Sequence, residues 1–211
     1  MRLVLIEPPA VEPLTAEEVK ARLSIGSEVS DEVLDALIAA ARQQIDGADG
    51  WLGRAFITQT WRGTLDGFPC SDIRIPLPPL QGILSVQYID GDGATQELDP
   101  VEYQIVQGRR ACIISAFGKS WPATRCTRDA VAIEFIAGYG DDPEDVPEPI
   151  RTAIALQTRK LISLASRDAG LTQRIVNGVS SRTWAMDGGA AGAAALDGAI
   201  TSLLSTYRVF S

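Results

Sequence analysis

The sequence predicts an α+β fold: N-terminal helices and a long central helix packed as a helical bundle, with an inserted antiparallel β module and a C-terminal helical arm. Two changes in apolar periodicity lead to this prediction. The spacing is that of a helix in residues 30–52 and 150–166, and it is that of a strand between them. The predicted divisions are N-terminal helices at 1–55, the β module at 56–137, the long core helix at 138–170, and a hairpin, linker and arm at 171–211.

Two helices are predicted before the β module. Thr15 and Glu18 have the spacing of a capping box, which opens a short helix through about Leu23. Ser30 is the expected N-cap of a longer helix that reaches about Leu52. The apolar face of that helix comprises Val33, Leu34, Leu37, Ile38, Ala41, Ile45, Ala48, Trp51 and Leu52.

The middle of the chain predicts about five to seven short antiparallel strands. Val131, Ile133 and Phe135 alternate with smaller or polar residues, as in a half-buried strand. Asp90-Gly91-Asp92-Gly93 is typical of a hairpin turn. Further strands are expected near residues 57–65, 73–75, 84–88, 95–98, 103–106 and 111–115.

The central helix follows a turn at Gly138-Tyr139-Gly140 and an acidic run at residues 141–145. Asp145 and Glu148 are predicted to form its capping box, with Pro147 in the first turn. The predicted buried stripe consists of Ala153, Ile154, Gln157, Leu161, Leu164 and Ala165.

Leu156 and Ile162 lie on opposite flanks of that stripe. Two interpretations stay open: a core helix within one domain, or a helix that contacts its own domain on one side and another subunit on the other. In the second interpretation Leu156, Arg159 and Ile162 are candidate contacts between subunits.

The C-terminal region is less regular. Asn177-Gly178 predicts a tight hairpin between two short strands. Residues 187–192 are predicted to be a Gly/Ala linker before a weak helix from about Ala193 to Tyr207. The aromatic and apolar ending is consistent with a docking arm or with a helix folded back on its own core.

Composition argues against several functional classes. The chain of 211 residues carries a formal charge of −8, so a basic nucleic-acid grip is not expected, although DNA can pass nearby. The chain has no histidine, which removes the commonest general base and metal ligand. Cys70, Cys112 and Cys126 form no CxxC motif, which predicts buried or half-buried free thiols in a reducing cytosol.

No catalytic, cofactor-binding or metal-binding residues are predicted. The sequence has neither a Walker loop nor a Gly-x-Gly-x-x-Gly motif after a strand, and the acidic run is explained by the adjacent helix N-terminus. No signal peptide and no membrane span are predicted. The alternative class is a small module that binds a cation at the acidic loop or a sugar on tryptophans Trp51, Trp61, Trp121 and Trp184, without catalysis.

Several stretches together resemble the head-to-tail connector (adaptor) proteins of long-tailed bacteriophages and gene transfer agents. The resemblance covers nearly the whole chain in the family's order. It rests on residues 5–9 with 12–15 and 18–20, residues 54–61, residues 76–80, residues 88–90, residues 121–125, residues 138–140 with 146–150, and residues 207–210.

This resemblance implies a structural protein that forms a ring of twelve copies beneath the portal protein and joins capsid to tail. DNA would pass through the lumen without specific binding, and a tail-side connector or stopper protein would be a further partner. The particle would assemble in the bacterial cytoplasm, and the protein would be located in the neck of the finished particle. The implied portal-contacting arm comprises Leu203, Leu204, Tyr207, Arg208, Val209 and Phe210.

Overall fold

The computed structural model describes residues 1–26, 29–165, 173–176, 180–183 and 186–209. The chain divides into two compact units, each built from segments that are distant in sequence. We call them the sheet unit, residues 1–13, 45–146 and 209–211, and the helical unit, residues 14–44 and 147–208.

The described part of the sheet unit contains eight strands in two antiparallel sheets. The strands are β1 (Arg2–Glu7), β2 (Gln59–Leu65), β3 (Ile73–Arg74), β4 (Leu80–Ile89), β5 (Thr95–Glu97), β6 (Tyr103–Val106), β7 (Cys112–Ser115) and β8 (Val131–Ala137). The five-stranded sheet has the order β1-β2-β8-β4-β5, and the three-stranded sheet has the order β3-β7-β6.

One buried apolar cluster fills the sheet unit. In β8, Ile133 and Phe135 are fully buried and lie opposite Gly63 and Trp61 of β2. Ile113 of β7 belongs to the same cluster, so both sheets contribute to one core. The alternation at Val131, Ile133 and Phe135 therefore predicted β8 and its inward face correctly. β1 was not predicted.

The helical unit contains α1 (Ala16–Leu23), α2 (Asp31–Gln43), α3 (Glu148–Ala165) and α4 (Met186–Leu204). An antiparallel pair, β9 (Gln173–Val176) and β10 (Ser180–Thr183), lies between α3 and α4 in the chain. This pair confirms the predicted hairpin strands, while the predicted Asn177-Gly178 turn lies outside the described residues. The buried residues of α1 to α3 include Val19, Leu34, Ile38, Ala41, Ile150, Ala153 and Ile154.

The start of α1 is fixed by the predicted capping box. The Thr15 hydroxyl accepts the Glu18 N–H at 3.2 Å, and the Glu18 carboxylate accepts the Thr15 N–H at 3.0 Å. Two otherwise unpaired N–H groups are thereby satisfied. Ser30 is the N-cap of α2, as predicted, but its side chain makes no capping hydrogen bond.

The predicted fold class is wrong in its architecture. The helices are short, from 8 to 19 residues, and do not form a bundle around a long central helix. Instead, the strands form two antiparallel sheets with their own buried cluster. The helical period identifies a helix and its buried face, but it does not reveal how much of the protein core that helix supplies.

Three predicted helix boundaries also need correction. α2 ends at Gln43, because the chain turns through Gly47, whose φ of 84° is left-handed, so the later apolar residues lie outside the helix. α3 begins at Glu148, and the Asp145 carboxylate accepts the Asp142 N–H instead of capping α3. The segment predicted as a Gly/Ala linker is helical, since α4 begins at Met186.

The predicted turn at residues 138–140 is hydrogen-bonded to residues 56–58, just before β2. The Tyr139 N–H donates to the Phe56 C=O at 2.8 Å, and the Thr58 N–H donates to the Gly140 C=O at 2.9 Å. A Cβ atom on Gly138 would lie 2.7 Å from the Ile57 backbone, so this approach requires glycine.

None of the described helices is both long enough and apolar enough to cross a bilayer.

Candidate interaction surfaces

The predicted portal-contacting residues lie at the end of α4 and just after it. Leu204 is buried, Leu203 is half-buried, and Phe210 lies outside the described residues. Tyr207 is half-buried, and its N–H donates to the Leu204 C=O at 3.0 Å. Leu204 therefore already packs in the protein's own core.

The residues after Tyr207 are also partly covered. Arg208 and Val209 are half-buried. The Val209 N–H donates to the Leu52 C=O at 3.1 Å, within the sheet unit. A backbone hydrogen bond thus holds this part of the predicted arm to its own chain.

The predicted subunit contacts lie three residues apart on α3, with Leu156 and Ile162 on opposite flanks. Leu156 and Ile162 are half-buried, and Arg159 is exposed. The neighbouring Lys160 ammonium lies 2.6 Å from the Asp197 carboxylate of α4, an ion pair within the helical unit. Because they are only half-buried, Leu156 and Ile162 retain accessible apolar surface.

A charged cluster joins α1 to α3. Arg151 is buried, and its guanidinium contacts the Glu18 carboxylate at 2.5 Å and the Glu148 carboxylate at 3.4 Å. Arg22 forms a second ion pair with Glu148. The cluster pairs the charge of the buried guanidinium and connects two helices, which is a structural role.

These ion pairs shift the carboxylate pKa values. The hydrogen bond from Arg22 lowers the pKa of Glu148, although partial burial opposes the change. Burial would raise the pKa of Glu18, but the Thr15 N–H and the Arg151 charge outweigh it and lower that pKa. Both groups are therefore ionised at neutral pH and act as acceptors only.

The carboxylate in the hairpin turn is engaged in the turn itself. Asp90 accepts the N–H groups of Asp92 and Ala94 and the side-chain amide of Gln96, at 2.9 to 3.0 Å. The Gln96 hydrogen bond is the main reason that the pKa of Asp90 is lowered. Among the described residues, no group of three or more acidic or thiol side chains is placed to hold a metal ion.

The three described tryptophans lie in different environments. Trp61 is in the sheet-unit core. Trp51, which was predicted to lie on the apolar face of the second helix, is exposed. Trp121 stacks on Phe68 with ring centres 5.0 Å apart, and both pack against the core cluster. Trp184 lies outside the described residues.

The cysteines are free, and their burial differs from the prediction. Cys112 is half-buried, as expected, but Cys70 and Cys126 are exposed.

Two exposed apolar patches were missed by the sequence prediction. The first, which we call the β1 patch, consists of Val4, Leu5 and Ile6 on an edge strand of the five-stranded sheet. The second, the Phe117 tip, consists of Val101 and Phe117, which are 70% and 100% exposed.

Backbone hydrogen bonds brace the Phe117 tip. The Ala116 N–H donates to the Glu102 C=O, and the Lys119 N–H donates to the Ala116 C=O, both at 2.9 Å. The Lys119 ammonium is paired with the Glu102 carboxylate at 2.8 Å. A wholly exposed aromatic ring is thus presented on a cross-connected turn rather than on a loose loop.

A signal for each patch was present in the sequence. Val4, Leu5 and Ile6 are consecutive apolar residues, without the alternation of a half-buried strand. Phe117 is an isolated aromatic residue beside Gly118, outside any periodic segment. Both departures from periodicity indicate apolar side chains that the core does not use.

No protein-family model matches the sequence, and no curated protein does either. Solved structures are similar over the whole chain. A chain from the virion of a native gene transfer agent particle has a TM-score of 0.71 at 18% identity, with 100% of this chain and 97% of that chain covered.

Two neck structures give the same result. They are the neck of an empty gene transfer agent particle computed with C6 symmetry and the neck of a native particle computed with C12 symmetry. Each gives a TM-score of 0.69 at 20% identity, with 100% of this chain and 97% of the matched chain covered. This chain therefore shares the fold of chains from the virion and neck of gene transfer agent particles.

Proposed function

We propose that the chain is a structural head-to-tail adaptor that forms a ring of twelve copies beneath the portal and joins capsid to tail, with a channel for DNA. The observation that carries this proposal is the fold shared over the full chain with chains from particle necks, one of them computed with C12 symmetry. In this role the chain has no catalytic activity.

The electrostatics support passage of DNA without capture. The chain has a formal charge of −8 and only 19 Lys and Arg residues. Many of the described basic groups are already paired, including Arg2, Arg22, Arg62, Arg151 and Lys119. Binding of DNA is driven by Lys and Arg side chains that neutralise phosphates and release their counterions. A lumen lined by this chain would offer few such groups, so DNA would pass through it without being bound.

The flanks of α3 are proposed contacts between neighbouring copies. Leu156 and Ile162 keep accessible apolar surface, and Arg159 is exposed beside them. Burial of the two apolar side chains against a second copy would contribute to ring formation, and Arg159 would meet an acidic group of the neighbour. This contact would join neighbouring copies without using the C-terminal residues.

The C-terminal residues are proposed to contact the portal protein. Leu203, Tyr207, Arg208 and Val209 keep accessible surface at the end of the chain, and Phe210 extends this apolar series. Buried Leu204 would support the contact by fixing the last turn of α4. A tail-side connector or stopper protein would bind the opposite side of the ring.

The portal contact is tested with the double variant Tyr207→Ala/Phe210→Ala. Loss of portal attachment is expected with the fold retained, because Tyr207 is only half-buried and the buried Leu204 is kept. Thr201→Ala, at an exposed position of α4 just before these residues, is the matched control and should attach normally. Normal portal attachment by the double variant would remove the arm from the proposal.

The adaptor role itself is tested by deleting the gene and imaging the particles by electron microscopy. Capsids and tails are expected to accumulate separately, and the wild-type gene should restore joined particles when supplied in trans. Normally joined particles in the deletion strain would contradict the proposed function. After assembly in the bacterial cytoplasm, the protein should be found in the particle neck.

A further inference from the structure

The C-terminal residues proposed to contact the portal are held by their own chain at two points. Leu204, in the last turn of α4, is buried. Further along the chain, the Val209 N–H donates to the Leu52 C=O at 3.1 Å. Tyr207 and Arg208, which lie between these two points, are half-buried. These residues therefore already have a place on the protein before any partner binds.

The Leu52 carbonyl belongs to residues 45–54, which we call the Leu52 turn. The Leu52 N–H donates to the Ile45 C=O at 3.2 Å, and this hydrogen bond closes the turn. The backbone of Gly53 is left-handed, with a φ of 62°. A Cβ atom at Gly53 would lie 4.0 Å from the Val209 carbonyl oxygen, so the backbone of Val209 passes close to this residue. The Leu52 turn is thus an ordered acceptor for the end of the chain.

The attachment at Val209 is the weaker of the two. Opening one backbone hydrogen bond has a small net cost, because water then satisfies both groups. Val209 is only half-buried, so its departure from the Leu52 turn exposes little additional apolar surface. Withdrawal of Leu204 from the core would expose a complete leucine side chain. The residues after Leu204 can therefore leave the Leu52 turn while α4 stays in place.

We propose that the Leu52 turn holds the C-terminal residues in a closed position, and that portal binding requires their release from it. This inference rests on the proposed portal contact and describes its regulation. The surface of Tyr207, Arg208 and Val209 that the chain itself covers becomes available to the portal only after release. Because only released copies bind, the apparent dissociation constant is the intrinsic one divided by the released fraction.

Release is tested by locking Val209 to the Leu52 turn with a disulfide. Cys70, Cys112 and Cys126 are first replaced by Ser, and Gly53→Cys and Val209→Cys are then introduced in the same chain. Oxidised glutathione takes two electrons and two protons from the two new thiols and is itself reduced to two glutathione thiols. The expected product is a disulfide within one chain, which mass spectrometry detects as the loss of two hydrogen atoms from the monomer.

Attachment is then measured on tail-free capsids purified from the strain that lacks the gene. The oxidised chain should attach at least about tenfold less than the same chain after reduction, because the lock removes the released fraction. Gly53→Cys alone carries the same substitution at a left-handed φ and is the matched control, so its attachment should not depend on the oxidant. Failure of the disulfide to form within the chain, or equal attachment of the oxidised and reduced chains, would overturn the proposed release.

Val209→Pro gives a second measurement that needs no cross-link. Proline has no N–H to donate to the Leu52 carbonyl, whereas the control Val209→Ala keeps that N–H. The proline chain should attach to the same capsids about twofold to tenfold faster than the alanine chain, because more copies are released. Equal or slower attachment of Val209→Pro would contradict the proposal.

The wild-type chain distinguishes these outcomes from a failure of the adaptor role. If wild-type protein does not attach to the tail-free capsids, the proposed function is wrong. If wild-type protein attaches and the locked chain attaches equally well, the portal contact is retained and the required release alone is wrong.

Discussion

Asp46 offers a sharp test of the polar network buried in the sheet unit. One oxygen of its carboxylate accepts the Phe56 N–H at 3.0 Å, and the other accepts the Gln59 amide N–H at 2.9 Å. The Gln59 amide oxygen in turn accepts the Trp61 indole N–H at 3.0 Å. Every link in this chain is buried, so each donor depends on its partner in the network.

Asp46→Asn replaces one acceptor oxygen with an amide donor. The Gln59 side chain can rotate to accept from that amide, but its own NH₂ group then faces the Trp61 N–H. One buried donor is stranded in either orientation, which costs about 1–3 kcal/mol of unfolding free energy. Urea denaturation followed by circular dichroism measures this loss, and exposed Asp49→Asn serves as the control with a change below about 0.5 kcal/mol.

A second substitution tests whether the loss of stability arises from the unpaired Trp61 N–H. Trp61→Phe removes the donor that is stranded, so Asp46→Asn should cost about 1 kcal/mol less in that background than in the wild-type chain. If Asp46→Asn is as stable as wild type, the network does not constrain the core. If its cost is the same in both backgrounds, the relay through Gln59 is refuted.

Two further predictions concern the helical unit. Thr15→Ala should lower the unfolding free energy by about 1 kcal/mol, because the Thr15 hydroxyl caps α1. Ser30→Ala should have almost no effect, because the Ser30 side chain makes no capping hydrogen bond. Equal losses in urea denaturation would refute the assigned caps. The pKa of Glu148 is lower when folded, so its stabilising contribution is complete above the usual glutamate pKa and disappears as the pH falls through the folded value. Urea denaturation at pH 7 and pH 3 should therefore show a smaller pH-dependent loss for Glu148→Gln than for wild type, and an equal loss would show that the Arg22 pair does not stabilise the fold.

Sequence patterns predicted the strands well where one face is buried. The alternation at Val131, Ile133 and Phe135 identified β8, because a half-buried strand must place every second side chain in the core. β1 was not predicted, because Val4, Leu5 and Ile6 are all exposed on an edge strand and have no alternation. An edge strand that is exposed on both faces has little periodic pattern, so both β1 and the β1 patch were missed.

The helix boundaries were predicted less well, for a related reason. Apolar residues continue beyond Gln43 at a helical spacing, but Ile45 and Leu52 belong to the sheet unit, because α2 has already ended at Gln43. Small residues near 187–192 were interpreted as a linker, although glycine only weakens a helix that other residues support. Periodicity alone does not identify which unit an apolar residue belongs to.

The candidate contacts were predictable only in part. The flanks of α3 follow from helical geometry, so Leu156 and Ile162 could be named from the sequence. The Phe117 tip depends on a turn braced by hydrogen bonds between residues 102 and 116, which local sequence patterns do not reveal.

The order of segments also has a consequence for the protein during translation. α1 and α2 leave the ribosome roughly 100 residues before the first residues of α3. At about 5–20 residues per second, that interval lasts roughly 5–20 s. During this interval the apolar face of α2 at Leu34, Ile38 and Ala41 has no α3 to pack against, while the strands of the sheet unit are being synthesised. Exposed apolar surface of this kind makes a nascent chain prone to aggregation.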